Sequence, residues 1–213
     1  SQIVASYFPK HSIAVLSGPN FAEEVSRNMP AATLIASNKI ATSKKIASIV
    51  QTKLFRPYVS DDVIGSQIAG ATKNVYAIAC GIVEGKKFGK NAVASIISRS
   101  FAEVSRLNKS MKAKPETLSG LSGMGDLFLT CSSKKSRNFK LGLDLAGGMS
   151  LSSIIKKNSS IAEGVFTARA LKQMSNKKKL NLPIAETVYQ ILYRKKDIDY
   201  AIEELLNRPI TSE

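Results

Sequence analysis

The sequence predicts a small α/β segment of about three strands followed by an all-helical region, mainly α overall. Three observations predict it. Short apolar runs of strand length alternate with short helical patterns over residues 1–62. From residue 63 onward apolar side chains recur at helical spacing and no strand-like run returns. The 213 residues are 44% hydrophobic and 22% charged, the usage of an ordinary folded chain. No apolar run approaches the ~18 residues of a membrane span. The division expected is residues 1–62 and 63–213.

Taken in order, Ser12–Leu16 reads as a strand that ends at the turn Ser17-Gly18-Pro19. Phe21–Asn28 reads as a short helix with Asn20 placed to cap it. Ala31–Ala36 is a second strand, Thr42–Gln51 a helix with Ile46, Ile49 and Val50 on one side, and Leu54–Val59 a third strand. This alternation implies parallel βαβ-type units. Three strands make a small doubly wound sheet with open edges, so a further strand-rich segment is expected before Ser1. Helices are then expected over Val63–Val83, Asn91–Leu107, Arg137–Leu145, a short stretch capped by Ser150, Val165–Met174, Pro183–Tyr193 and Asp199–Leu206. Gly147-Gly148 stops one of them and Pro183 suits the first turn of another. Thr117–Gly125 reads as a glycine-rich loop.

Composition excludes several chemistries. Cys80 and Cys131 stand too far apart for a CxxC pair or a multi-cysteine zinc site, and read as small buried hydrophobes. His11 is the single histidine and reads as a surface residue, so a histidine-based triad or metal site is excluded. Ser1–Ser17 lacks the basic-then-apolar pattern of an export signal, and two reduced thiols suit a cytoplasmic protein. The net charge of +15 favours anionic partners. Its lysines are spread along the whole chain in twos and threes, tryptophan is absent and aromatics are 7%. A solvated basic surface accounts for this better than a specific nucleic-acid site, which concentrates its cations and interleaves them with aromatics.

Two constellations carry chemistry. In Val63–Val83 the residues Ile64, Ile68, Ala71, Val75, Ile78 and Ile82 form one stripe, and Lys73 is the lone charge. It falls on the opposite side with Ser66, Ala69, Gly70, Ala77 and Cys80, all small enough to admit another segment. Burial favours the neutral form of an amine, which suits proton transfer. A lysine that reaches solvent or forms a structural ion pair fits the same pattern. The second constellation is Gly120-Leu-Ser-Gly-Met-Gly-Asp126, then Thr130, then Ser136-Arg137-Asn138. Glycines admit an anion to backbone N–H groups, and Arg137 at a helix start fits phosphate oxygens. The same glycines also suit an ordinary turn. Ser17–Ala22 ends a strand and opens a helix, the place where open α/β sheets bind ligands.

The strings SGPNFAEEV, DDVIGSQIAGATKNVYAIACGI, TLSGLSGMGDLFLTCSSKKSRN, AEGVFTA and LPIAETVYQIL occur in this order. Together they resemble bacterial NAD(P)-dependent glycerol-3-phosphate dehydrogenase, from about Ser12 to Tyr193. The resemblance implies reversible hydride transfer between NAD or NADP and dihydroxyacetone phosphate or glycerol 3-phosphate, feeding glycerophospholipid synthesis. It implies that residues 1–62 are the C-terminal part of a nucleotide-binding Rossmann domain. Residues 63–213 would be the helical substrate-binding and catalytic domain. Lys73 matches the catalytic lysine, with Asn74, Asp126 and Thr130 at other active-site positions. Asp126 would hydrogen-bond the substrate hydroxyl or orient Lys73. Gly18, Asn20, Ser136, Arg137 and Asn138 match substrate contacts. Ala22, Arg137, Ile161 and Glu163 match cofactor contacts.

Position 20 holds Asn where the family more often has Ser or Thr, and the amide still donates. The family's GxGxxG unit and a further substrate lysine before the SGP turn are not in this sequence. The expectation is therefore an incomplete C-terminal portion that binds NAD or NADP weakly. Three readings follow: an oxidoreductase chain completed by an upstream segment, a non-catalytic module pairing with a separate N-terminal fragment or forming a homodimer, and a basic helical nucleic-acid-binding protein.

Overall fold

The computed structural model describes residues 1–157 and 161–210. The chain forms two compact units. One comprises Ser1–Ala71 with Val104–Leu129, the other Thr72–Glu103 with Thr130–Glu213. The change from alternating elements to helices falls at Asp61-Asp62, between the last strand and the first long helix.

The first unit begins with α1 (Gln2–Tyr7), which buries none of its side chains. No stripe marks it in the sequence because Ile3, Val4 and Tyr7 are all exposed. His11 is exposed as expected and meets Phe8 edge to face. Three strands follow, β1 (Val15–Ser17), β2 (Ala31–Ala36) and β3 (Phe55–Ser60), in the spatial order β1-β2-β3. β2 and β3 are parallel, with Ala31 opposite Phe55 and Ala36 opposite Ser60. Between them runs α3 (Ile40–Val50), which buries Ser43 and Ala47. The Ser43 hydroxyl donates to the Ser60 carbonyl at 3.0 Å.

β1 and β2 are antiparallel, Val15 opposite Ala36, which corrects the expectation of parallel units throughout. The connecting helix α2 (Ala22–Ser26) is only five residues long and buries none of them. A parallel crossover needs a helix that lies on the sheet and returns the chain along it, and α2 does neither. Asn20 does not cap α2; the cap position is Phe21 and receives no side-chain hydrogen bond. β2 holds the centre of this sheet, with Thr33, Ile35 and Ala36 at 1% exposure or less. Buried hydroxyls find carbonyls: Thr33 donates to Ser17 at 3.2 Å and Ser37 to Ile13 at 2.7 Å. Pro57 is tolerated because β3 lies at the end of the sheet.

Asp62 starts α4 (Val63–Gly85). One carboxylate oxygen accepts from Gly65 N–H at 2.8 Å and the other from Lys114 N–H at 2.8 Å. The segment expected as a glycine-rich loop is helical. α6 (Pro115–Ser119) leads into a single π turn, Leu121–Gly125, closed by Gly125 N–H to Gly120 C=O at 3.2 Å. A side chain at Gly123 would stand 1.8 Å from the Leu118 carbonyl oxygen. These glycines serve backbone packing, which is why their spacing imitates a loop.

The second unit is helical: α5 (Lys90–Ser110) and α7 (Asp126–Ser132) supply parts of themselves to it, as does α4. α8 (Arg137–Ala146), α9 (Leu151–Lys157), α10 (Glu163–Lys178), α11 (Pro183–Arg194) and α12 (Ile198–Leu206) complete it. Along α4 every residue from Val75 to Val83 is buried. α8 lies on α4 at Ile78 and Gly81, beside the small side picked out in the sequence rather than on it. A Cβ on Gly81 would lie 2.1 Å from the Phe139 carbonyl oxygen, and one on Gly142 would lie 2.2 Å from that of Ile78. The two backbones touch at these glycines. Cys80 and Cys131 are both fully buried, as their reading as small hydrophobes expects. Glu103 of α5, 1% exposed, accepts from the N–H groups of Ile184 and Ala185 at 2.6 and 3.2 Å and from Tyr76 at 3.2 Å. It caps α11, whose first position is Pro183 and has no N–H to offer.

Candidate functional site

In the second unit, Lys73 and Asn74 stand next to each other on α4, both half-buried. Lys73 falls where the fully buried stretch of α4 begins, so its side chain retains access to solvent. The enclosed lysine implied by an all-apolar helix is therefore only half realised.

The Ser136-Arg137-Asn138 run sits at the start of α8. Ser136 is the cap: its hydroxyl oxygen accepts from Phe139 N–H at 3.2 Å. A hydroxyl that accepts in this way still has a proton to donate. Asn138 is 3% exposed and bridges two other helices. Its Nδ2 donates to Asn74 Oδ1 at 3.0 Å, and its Oδ1 accepts from Gly164 N–H, near the start of α10, at 2.8 Å. Beside this bridge, Arg137 forms an ion pair with Glu163. Both of these side chains are more than half exposed, so the pair adds little stability and is free to exchange for a ligand. The motifs around residues 73, 137 and 163, far apart in sequence, are thus brought together. Thr130 is buried on α7 in the same unit.

Arg137 and Lys140 lie at a pocket of about 180 Å³ whose apolar lining includes Leu141, Ile154, Ile161 and Val165. Asp144 lines the same pocket, so two cations and one carboxylate stand over its apolar floor, which suits a ligand with a polar, charged part and a flat apolar part. The volume is below the roughly 300 Å³ of a complete small-molecule pocket.

The first unit holds Gly18, Asn20, Ala22 and Asp126. Gly18 lets the turn lie directly on β2, since a Cβ there would stand 3.2 Å from the Thr33 Cα and 3.3 Å from the Ala32 carbonyl oxygen. Among the described residues, both polar atoms of the Asn20 amide are buried without a hydrogen-bond partner. A buried unsatisfied amide is costly, and a polar ligand would relieve it. Ala22 is the exposed first residue of α2. Asp126 is 3% exposed in the first turn of α7. The sequence reading missed Gly164 and Glu103. The Glu163-Gly164 pair was a visible signal for the former; nothing local marks the latter.

The chain is similar to known proteins along its whole length. The family model described as NAD-dependent glycerol-3-phosphate dehydrogenase C-terminus matches residues 62–203, and the corresponding N-terminus model matches residues 1–43. A glycerol-3-phosphate dehydrogenase [NAD(P)+] of Caulobacter vibrioides is 47% identical over all 213 residues, and one of Parvibaculum lavamentivorans is 45% identical. The chain spans 64% of the length of each. The crystal structure of glycerol-3-phosphate dehydrogenase from Coxiella burnetii matches 97% of this chain and 64% of its own, with a TM-score of 0.93 at 37% identity. The Saccharomyces cerevisiae enzyme matches 94% of this chain and 62% of its own, with a TM-score of 0.83 at 27% identity. Among the described residues no helix is long and apolar enough to cross a membrane.

Proposed function

Since the chain belongs to the NAD-dependent glycerol-3-phosphate dehydrogenase family, we propose that it contributes substrate-holding and proton-transferring residues to the interconversion of dihydroxyacetone phosphate and glycerol 3-phosphate. The observation that carries this reading is the cluster in the second unit. Lys73 and Asn74 share one turn of α4, and Asn138 ties Asn74 to the start of α10 beside Arg137. Lys73 is assigned the proton on the substrate's C2 oxygen, given in reduction and taken in oxidation. Asn74 is assigned a hydrogen bond to the same substrate. Arg137 offers its planar fork to the phosphate, and Ser136 and Asn138 adjoin it. Thr130 is assigned to the active site, Gly18, Asn20 and Asp126 to substrate contacts, and Ala22 to the cofactor.

When bound, the nicotinamide cofactor supplies or accepts the hydride. Arg137, Ile161 and Glu163 are the residues of the second unit that would hold part of it. Because the pocket there is smaller than a complete small-molecule pocket, binding of NAD or NADP by this chain alone is expected to be weak. The family segments at 1–43 and 62–203 support a division into a nucleotide-binding part over 1–62 and a substrate part over 63–213. Exposed Leu16, Tyr58 and Val59 on the outer strands support association with a second copy or an N-terminal fragment.

The test is dihydroxyacetone-phosphate-dependent oxidation of NADH and NADPH, with Lys73→Ala as control and calorimetric titration of dihydroxyacetone phosphate alongside. The expected result is substrate binding by the wild-type chain and no turnover from the variant. Turnover that survives Lys73→Ala would remove that residue from the reading. No binding of dihydroxyacetone phosphate would remove the substrate assignment.

A further inference from the structure

We propose that Gly164 and Asn138 are positioning residues that set the polarity of Asn74, so that Asn74 turns its Nδ2, a hydrogen-bond donor, away from Asn138 and toward a ligand. The argument starts from a group that has no choice. The Gly164 backbone N–H can only donate. The Asn138 side-chain atom 2.8 Å from it is therefore the carbonyl oxygen, and the Asn138 Nδ2 points the other way. That nitrogen lies 3.0 Å from the Asn74 side chain, which must answer with its oxygen. The Asn74 Nδ2 is left on the far side of the amide. No other hydrogen bond of the Asn74 side chain is formed among the described residues. One backbone N–H thus dictates the orientation of two successive amides across three helices.

Gly164 is essential for a second reason. A Cβ at this position would lie 2.6 Å from Asn138 Oδ1 and 2.6 Å from the Asn74 carbonyl oxygen. Any side chain would push the start of α10 off both asparagines and break the relay at its source. The burial of Asn138, 3% exposed, keeps water from competing for either bond. The consequence is chemical selectivity. Asn74 is poised for an oxygen that accepts, such as a carbonyl, an alkoxide-like hydroxyl or a phosphate oxygen. The second Nδ2 hydrogen of Asn138 is unused by the relay.

The inference about orientation stands on the hydrogen bonds alone; its functional arm rests on the proposed substrate. Two nearly isosteric variants separate them. Asn138→Asp keeps an acceptor for Gly164 but cannot donate, so the Asn74 amide must turn over to donate to it. Asn74→Asp keeps both relay bonds and removes the outward donor. The first readout uses the wild-type and variant chains without ligand. In side-chain amide NMR spectra, the Asn74 NH₂ signals should move strongly downfield in Asn138→Asp as they become the bonded donors. Unmoved Asn74 signals would overturn the relay. If Asn138→Asp fails to fold, Gly164→Ala in the same spectra should release the Asn138 NH₂ signals from their bonded positions, and unchanged signals there would likewise overturn it.

The second readout is titration of dihydroxyacetone phosphate. Asn138→Asp and Asn74→Asp should each weaken binding roughly tenfold or more, the loss of one well-placed donor. In an Asn74→Ala background, Asn138→Asp should weaken it clearly less than in the wild type, because its route through Asn74 is gone. Fully additive effects would overturn the positioning role. Wild-type chain that does not bind this probe, with the amide signals moving as expected, would overturn the substrate and leave the orientation intact.

Discussion

Replacing Glu103 with alanine should destabilise the second unit by about 4 kcal/mol, the range seen when a buried carboxylate with several partners is removed. The magnitude follows from what the carboxylate holds. Its two oxygens take the N–H groups of Ile184 and Ala185 at 2.6 and 3.2 Å and the Tyr76 hydroxyl at 3.2 Å. Bonds to a charged acceptor contribute about 1.5–3 kcal/mol each in favourable cases, and each buried donor left alone costs about 1–3 kcal/mol. These figures overlap in what they count, so they are not summed; the alanine value lies near the upper part of single-site losses. Glu103→Gln separates charge from shape. It keeps an acceptor for Ile184 N–H but turns an NH₂ toward Ala185 or Tyr76, and should cost about 1–2 kcal/mol. The assay is urea unfolding followed by circular dichroism. With an m value of about 2 kcal/mol per molar urea, the alanine variant's midpoint should fall by about 2 M and the glutamine variant's by about 0.5–1 M. An alanine variant within about 1 kcal/mol of wild type would refute the reasoning, because it would mean that the start of α11 does not depend on this carboxylate.

Gly81→Ala and Gly142→Ala should each cost about 3 kcal/mol or more, since a methyl group would meet a carbonyl oxygen at 2.1 or 2.2 Å and force α4 and α8 apart. Gly89→Ala, with a φ of +85° and nothing within 4 Å of the new methyl group, should lose only about 1 kcal/mol to backbone strain; thermal unfolding distinguishes the two. The pair Asp61–Lys114, 2.7 Å apart, gives a small pH dependence at both ends of the scale. The Lys114 hydrogen bond holds the Asp61 carboxyl below its ordinary value of 3.8, so its contribution is present above that value and is lost as pH falls through the lowered one. The Asp61 bond raises Lys114 above 10.5, so its contribution is present below that value and is lost as pH rises through the raised one. Asp61→Asn should slightly flatten stability against pH at both ends, and an unchanged profile would show the pair to be without effect.

The elements most legible in the sequence are those whose signal is local. β2 carries the run Ala31–Ala36 and forms at those residues. α4 carries an unbroken 4-3-4-3-4 stripe and forms from its expected first residue, running two residues past the expected last. α11 begins at its proline. What was not legible depends on partners far along the chain. The direction of β1 is decided by whether α2 can lie on the sheet, and a five-residue helix without a buried side chain gives no periodic sign of that. The glycines at 120–125 look alike whether they lie in an open loop or in a π turn; the 1.8 Å approach of a Cβ at Gly123 to the Leu118 carbonyl oxygen shows why that position needs glycine in the turn.

The candidate site divides in the same way. Lys73 stands out locally because it is the lone charge in a 21-residue apolar stretch. The partners that orient its neighbour lie 64 residues further on at Asn138, and another 26 beyond that at Gly164. Nothing in the string Ser-Arg-Asn says that the asparagine faces inward to a helix while the arginine faces outward to solvent. That follows from the helix itself: adjacent residues on α8 diverge by about 100°, so one is buried and the other is free to meet a ligand. The same step in α10 places Glu163 beside Arg137 and Gly164 beside Asn138. Two dipeptides on different helices are therefore matched residue for residue, the outer pair by charge and the inner pair by a hydrogen bond.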